Sequence, residues 1–200
     1  MTGEATITLE DVALIWQLPV AGAPITGVDE RWAISVWQEY CLEYLGFAPS
    51  TDVFSGATIP LSVLLREVRY RTLTVDSTED DVARYTRCYV LLLLGCRIFP
   101  DSSGDRVKLL YLRMLEDVSR TQPYSWGSAA LAYLYRELCS ACMRGRQTIA
   151  GPLELLQIWT WIRIPGLGPQ TRDHGLYTGT ITVLGDVQLP AVPFGARYVS

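Results

Sequence analysis

Helix-start signals recur along this chain of 200 residues, and apolar residues at helical spacing follow them. The segment "TLED", Thr8 to Asp11, has the form of a capping box, in which a threonine and an acid three residues later satisfy the first free N–H groups of a helix. The segment "DSTEDD", which ends at Asp81, offers a second cap followed by an acidic first turn. Pro60 and Pro152 suit the first turn of two more helices, where proline is tolerated. These signals predict a mainly α-helical protein.

The spacing of apolar residues predicts about six to seven helices. We expect helices over Leu9–Gln17, Glu30–Leu45, Pro60–Tyr70 and Thr78–Phe99, another within "RVKLLYLRMLEDV", one that starts near Ser125 and runs to Arg144, and one that starts at Gly151–Pro152. In the helix from Thr78, the periodicity places five side chains on the core side. They are Val82, Tyr85, Tyr89, Leu92 and Cys96.

The composition changes after Pro165. Residues 166–200 have the composition of loops and strands, and "YTGTITVLGDVQLP" alternates like a hairpin around Gly185–Asp186. The tail "AVPFGARYV" is predicted to be extended. Since we find no internal repeat and no low-complexity linker, we expect a single domain over residues 1–200, mainly α, with a small β-hairpin or sheet element from its N- and C-terminal segments.

Hydropathy and charge limit the classes of partner. The longest uncharged apolar run, Tyr89 to Cys96, is far shorter than the roughly 20 residues that a bilayer crossing needs, and no signal-peptide pattern is present. We therefore expect a soluble intracellular protein without membrane contact. The net charge of −4 disfavours extensive binding to a phosphate backbone. All basic residues except Lys108 are arginines, which suits bidentate pairing with carboxylates or phosphates, although genomic base composition explains it equally well.

The cysteine and histidine content does not favour a metal site. Five cysteines without a secretory signal indicate reduced thiols. Cys139 and Cys142 form a C-x-x-C pair without a second pair nearby, and His174 is the only histidine, so the four ligands of a structural zinc site are not supplied. We predict no metal, no cofactor and buried, inert thiols.

Ser128 is the residue that most resembles a nucleophile. A nucleophile elbow requires G-x-S-x-G, but the chain reads "SWGSAA", with Ser125 and Ala130 at the two glycine positions. We interpret this segment as a largely buried packing helix with one narrow polar edge, and we predict no catalytic residue. The alternate residues Asp101, Ser103 and Asp105 are interpreted as a turn rather than a calcium loop.

Two groups of residues are candidates for contact with a partner or DNA. Arg66, Arg69 and Arg71 form the densest basic group, for which a solvated helix face is the more ordinary interpretation. Trp159 and Trp161 are candidate aromatic anchors. Trp37 and Tyr135 are weaker candidates, because most such side chains belong to the core.

Four blocks of the sequence carry a resemblance to a known family. They are "GEATITLEDVALIWQLPVAGAPITG", "RYTRCYVLLLLGCRIFPDSSGDRVKLLYL", "YSWGSAALAYLYRELC" and "GPLELLQIWTWIRIP". In this order, and with "PFGARY" near the end, they resemble the plant mobile domain. This aminotransferase-like domain occurs in the maintenance-of-meristems proteins, in serine/threonine-protein phosphatase 7 long-form homologues and in plant transposable elements.

The resemblance implies a non-enzymatic, transposon-related interaction module in the plant nucleus. It implies a role in transposon silencing and gene-expression control, together with a phosphatase 7-like partner. The label "aminotransferase-like" implies no cofactor here, because Lys108 is the only lysine and lies in a predicted amphipathic helix. Direct DNA binding through arginine-rich helix faces is the alternative. Family members usually have further sequence before "GEATITL", so we expect that the chain is truncated at its N-terminus.

Overall fold

The computed structural model describes residues 5–26, 32–118, 124–143, 145, 147–168, 180–183 and 187–190. These residues divide into two compact units. The first unit takes its residues from Met1–Pro24, Pro123–Tyr135 and Pro152–Ser200, and the second takes them from Ile25–Gln122 and Arg136–Gly151. Every helix in the described ranges is too short or too polar to cross a bilayer.

The elements follow the predicted order closely. The helices are α1 (Leu9–Trp16), α2 (Ile34–Leu45), α3 (Leu61–Tyr70), α4 (Glu79–Leu93), α5 (Leu110–Arg113), α6 (Trp126–Ala141) and α7 (Leu153–Arg163). The strands are β1 (Thr58–Pro60), β2 (Arg106–Lys108), β3 (Thr180–Val183) and β4 (Val187–Pro190). A π-helical turn, Leu94–Ile98, continues α4, and the 3₁₀ turns are Thr51–Val53 and Pro165–Leu167.

The first unit is organised around α1 and α7, which pack against each other. The capping box at the start of α1 is present as predicted, because the Thr8 side chain accepts from the Asp11 N–H and the Asp11 carboxylate accepts from the Thr8 N–H at 2.8 Å. The core of this unit is mostly apolar and comes from three segments of the chain. Its buried side chains include Ile7, Val12, Ile15, Ala130, Leu134 and Leu155.

The second unit is built on α2, α3 and α4 with the small β1–β2 pair. The two strands are antiparallel, with the buried side chains of Ile59 and Val107 opposite each other. The end of α4 approaches β2 very closely at Gly95, where an added Cβ would lie 2.6 Å from the Val107 Cβ. Only glycine leaves room for this approach, so one residue fixes how the π turn packs on the strand.

The segment Arg106–Val118 corrects one prediction. We expected a helix here, but Arg106–Lys108 form strand β2 and only Leu110–Arg113 form a helical turn. Pairing with β1 supplies hydrogen bonds that the local apolar spacing does not reveal. The Arg106 guanidinium strengthens this pairing, since it donates to the Val53 carbonyl at 2.7 Å and to the Thr58 hydroxyl at 2.8 Å.

The buried side of α4 corrects a second prediction. The sequence placed Val82, Tyr89 and Cys96 in the core, but all three side chains are exposed. The buried positions are instead Cys88 and Leu91. An apolar stripe of α4 is therefore left at the surface of the second unit.

The mainly α fold with a small antiparallel β element is confirmed. The hairpin predicted around Gly185–Asp186 is present as β3 and β4, which pair from Thr180↔Pro190 to Val183↔Val187. In the described N-terminal segment, Ala23 forms a single parallel bridge with Tyr124. The extended tail predicted for "AVPFGARYV" and the only histidine, His174, lie outside the described residues. The expectation of one domain over 1–200 stays a prediction.

Candidate functional site

The three candidate arginines on and after α3 have different environments. The Arg71 side chain makes its polar contacts within the chain. Its guanidinium donates to the Leu45 carbonyl at 2.8 Å and pairs with the Glu67 carboxylate at 3.2 Å. Leu45 is the last residue of α2, so Arg71 satisfies a carbonyl that the helix leaves free and lies where a positive charge is favourable. This role stabilises the fold and leaves little of the side chain available to a partner.

Arg66 and Arg69 are at the surface. The Arg66 side chain is 67% exposed, against 23% for Arg71, and its contact with Glu67 is 4.0 Å long. Arg69 is exposed and pairs with no acidic side chain in the described part of the chain. Since the two arginines are three residues apart, they lie on the same face of α3. Exposed Leu65 and Tyr70 are next to them in the sequence.

The candidate tryptophans lie on α7 in the first unit. Trp159 is half-buried, and its indole Nε1 is buried without a hydrogen-bond partner in the described residues. Trp161 is also half-buried and packs near Gly168, where an added Cβ would lie 3.2 Å from the Trp161 Cβ. Both tryptophans therefore contribute to packing, while part of each ring remains at the surface.

The two weaker aromatic candidates have structural roles. Trp37 is buried in the second unit, with its ring centroid 4.6 Å from that of Trp32. The Tyr135 hydroxyl donates to the Ile7 carbonyl and accepts from Thr6 at 3.3 Å. Both side chains therefore make structural contacts within their own unit.

Ser128 has the environment of a packing residue. Its hydroxyl donates to the Val20 carbonyl at 2.8 Å, and the neighbouring Gly127 N–H donates to the Pro19 carbonyl at 2.8 Å. An added Cβ at Gly127 would lie 2.9 Å from the Val20 side chain, so the glycine allows the N-terminal segment to approach α6. A helix is present at this position as predicted, but its exposed side is broader than the predicted polar edge, since Ala132, Tyr135 and Cys139 are also exposed.

The polar turns are satisfied by their own side chains. In the turn at Asp101–Asp105, the Ser103 hydroxyl donates to the Asp101 carboxylate at 2.7 Å, and the Gly104 N–H donates to the same carboxylate at 2.8 Å. Asp81 completes the predicted capping box at Thr78. No cluster of three or more metal-ligating side chains occurs in the described ranges.

The cysteines differ in exposure, which corrects the expectation that all are buried. Cys41 and Cys88 are buried, and burial raises the pKa of the Cys41 thiol to about 12 and that of Cys88 to about 11. The other three thiols, Cys96, Cys139 and Cys142, are free and exposed. For Cys96 the reason is that the buried side of α4 differs from the one that helical periodicity predicted.

Comparison with known proteins identifies the family. The plant mobile domain model matches residues 1–198 of the chain. The chain belongs to the plant mobile domain family. It is similar to three Arabidopsis thaliana proteins: Protein MAIN-LIKE 2 (37% identical), Serine/threonine-protein phosphatase 7 long form homolog (40%) and Protein MAINTENANCE OF MERISTEMS (33%). Each match covers 81% of this chain but only 23%, 12% and 33% of the respective relative. No solved structure matches.

Two arginines of this plant mobile domain were not singled out by sequence. Arg87 on α4 donates to the carbonyls of Leu115 and Glu116 at 2.8 and 2.7 Å, and its Cζ lies 5.4 Å from the centre of the Tyr44 ring. Arg113 lies over the Trp32 ring at 5.2 Å. Their partners are distant in sequence, so local spacing gave no signal for them.

Proposed function

We propose that this plant mobile domain is a non-enzymatic interaction module that acts in the nucleus, in transposon silencing and gene-expression control, through protein partners. Membership in the family that contains the MAIN-like and MAINTENANCE OF MERISTEMS proteins supports this proposal. The family also contains a phosphatase 7 long form homolog. A phosphatase 7-like protein is therefore the first partner to test.

The observation that carries the proposal is the surface of α3. Exposed Arg66 and Arg69 lie beside exposed Leu65 and Tyr70. Arginine and tyrosine are enriched at protein–protein interfaces, where large side chains supply contact area and the guanidinium forms directed hydrogen bonds. A mixed apolar and arginine surface suits a protein better than a phosphate backbone, which offers few apolar groups.

The experiment is size exclusion with light scattering. The chain is run alone and mixed with the Arabidopsis phosphatase 7 long form homolog, at equal concentrations and physiological salt. We expect a complex with the summed mass. The variant Arg69→Glu should weaken it, whereas Lys108→Glu, the same charge change on β2, should leave it intact. Two separate peaks for the unmodified chain would contradict this partner.

Direct DNA binding is the second candidate function, and the accessible pair Arg66 and Arg69 favours it. This hypothesis predicts that affinity for duplex DNA falls steeply with salt, with a logarithmic slope of about −0.9 for each phosphate contacted. A fluorescence-anisotropy titration over a salt series measures that slope. Binding that is absent or independent of salt would exclude this candidate.

A further inference from the structure

Helices α3 and α4 pack side by side and run in opposite directions. The start of α3 contacts the π-helical turn that continues α4, since an added Cβ at Gly95 would lie 2.7 Å from the Leu61 side chain. The later part of α3 contacts an earlier part of α4, because the Tyr85 hydroxyl donates to the Val68 carbonyl at 3.3 Å. The two helices therefore form one continuous seam.

The C-terminal end of α2 covers one side of this seam. The Leu45 carbonyl accepts from Arg71, which follows α3, and from the Cys88 thiol on α4 at 3.7 Å. Arg84 on α4 also donates to the Glu43 carbonyl at 3.3 Å. These contacts show which side of α3 and of α4 is covered by α2.

The opposite side of the seam is apolar and exposed. Residues four apart lie on the same helix face, so Leu65 continues the line of Leu61 on α3, and Tyr89 continues the line of Tyr85 on α4. Leu65 is 51% exposed and Tyr89 is 47% exposed. Val82 and Leu93, which precede and follow Tyr89 by seven and four positions, are exposed on the same side of α4. We call Leu65, Val82, Tyr89 and Leu93 the α3–α4 face.

Positive charges lie beside the α3 part of the α3–α4 face, and acidic side chains lie at one end of its α4 part. Arg66 and Arg69 lie on α3 next to Leu65, and the stripe from Val82 to Leu93 contains no charged side chain on its own side of α4. The nearby acids, Glu79 to Asp81, lie in the first turn of α4 at the end of the stripe, where they suit the helix N-terminus.

Helix α2 differs from α3 and α4 in the charges beside its exposed apolar residues. It also exposes apolar side chains, among them Val36 and Leu42, but there Glu39 and Glu43 are the charged neighbours. The two surfaces therefore differ in the sign of their charge. On the α3–α4 face, by contrast, the apolar side chains lie beside the exposed Arg66 and Arg69.

We propose that the α3–α4 face binds an amphipathic helix of a partner protein, whose apolar side contacts Leu65 and Tyr89 and whose flanking carboxylates pair with Arg66 and Arg69. The proposal rests on the interaction function above and assigns its surface and the chemistry of its ligand. An apolar helix side is recognised by residues at positions i, i+3 or i+4, and i+7, and opposite charges fix orientation and speed association. The 15 residues of α4 span about 22 Å, which is four turns of such a ligand.

The probe is a fluorescent helical peptide of the same length as α4. It has leucines along one side and glutamates beside them, and two matched peptides carry lysines in place of the glutamates or the same residues in scrambled order. Anisotropy measures their binding to the whole chain. We expect the acidic amphipathic peptide to bind at least about tenfold more tightly than either matched peptide.

Variants on the α3–α4 face, each with a control variant elsewhere, show where on the chain the acidic peptide binds. Leu65→Ser and Tyr89→Ser should each weaken the acidic peptide about tenfold, while Leu42→Ser, an equally exposed position on α2, should have no effect. Arg69→Glu should weaken it, and Lys108→Glu should not. Circular dichroism and thermal unfolding check that each variant is folded. Equal binding of the three peptides, no binding, or an equal loss with Leu42→Ser would overturn the proposal.

Other ligands of the face give different results. A homodimer of the chain that Leu65→Ser dissociates would mean that a second copy covers the face. Duplex DNA that competes with the peptide and requires Arg69 would assign the face to nucleic acid. Both results overturn the proposal. If the phosphatase 7-like complex forms and persists with Leu65→Ser and Tyr89→Ser, the proposed interaction function is supported, but the α3–α4 face is excluded as its binding surface. If the acidic peptide binds but that complex does not form, the α3–α4 face is supported as a binding surface and the phosphatase 7-like protein is excluded as its partner.

Discussion

The Arg163 guanidinium lies 2.8 Å from the Asp11 carboxylate, although the two residues are 152 positions apart in the sequence. Asp11 also completes the capping box of α1. One carboxylate thus links the start of the first helix to the end of α7. Burial opposes the ionisation of Asp11, but hydrogen bonds from Thr8 and Arg163 outweigh it, so the pKa of this carboxyl lies below its ordinary value of 3.8.

The Asp11 carboxylate should stabilise the protein in a pH-dependent way. Because its pKa is lowered on folding, the stabilisation is fully present above about pH 4 and is lost as the pH falls through the folded pKa. We expect Asp11→Asn to lower the free energy of unfolding by about 1–2 kcal/mol at pH 6, and we expect this difference to shrink as the pH falls below about 4. Urea unfolding of both proteins across this range measures the difference. Adding Arg163→Gln completes a double-mutant cycle, and zero coupling at pH 6 would show that the ion pair contributes nothing.

Gly95 should be intolerant of even a methyl group. An added Cβ would lie 2.6 Å from the Val107 Cβ and 2.7 Å from the Leu61 side chain, so Gly95→Ala should destabilise the protein by about 1–3 kcal/mol. Gly166→Ala is the control, because nothing lies within 4 Å of the corresponding Cβ, and its effect should stay within about 0.5 kcal/mol. Thermal unfolding compares the two. Equal effects would contradict the close approach of the π turn to β2.

Arg71 and Arg66 should differ in their effect on stability. Arg71→Ala removes the hydrogen bond to the Leu45 carbonyl, and we expect a loss of about 1–2 kcal/mol. Arg66→Ala changes a largely exposed side chain and should alter stability by less than about 0.5 kcal/mol. Chemical denaturation tests both variants. A loss on Arg66→Ala that matches the loss on Arg71→Ala would show that Arg66 also makes contacts that stabilise the fold.

Thiol labelling should divide the cysteines into two classes. Cys96, Cys139 and Cys142 are exposed and should react with a thiol reagent in the native protein. Cys41 and Cys88 should react only after unfolding, because they are buried and their raised pKa values keep them protonated at neutral pH. Mass spectrometry after timed labelling distinguishes the sites. Rapid native labelling of Cys41 would show that the second unit opens readily.

Sequence predicted the helices well where the signal is local. The caps at Thr8 and Thr78 act within three residues, and both capping boxes are present. Gly46, which follows the last residue of α2, adopts the left-handed conformation that favours glycine at a helix C-terminus. Local sequence therefore determines most helix ends, because the groups that satisfy those ends are only a few residues away.

The candidate site was predicted only in part. Sequence grouped Arg66, Arg69 and Arg71, and could not show that Arg71 is engaged by a carbonyl 26 positions away. It found the apolar stripe of α4, including Val82 and Tyr89, but placed it in the core. Periodicity shows that a helix has an apolar side, but it does not show whether a neighbour covers that side.

The sequence by itself determined the helical class, the C-terminal hairpin and the family of this chain. Tertiary structure alone decided that Arg106–Lys108 form a strand, that Cys88 and Leu91 are buried, and that Tyr89 is left at the surface. The physical reason is the range of the interactions. Caps, turns and propensities act between neighbours in sequence, whereas strand pairing and burial depend on which distant segments the fold brings together.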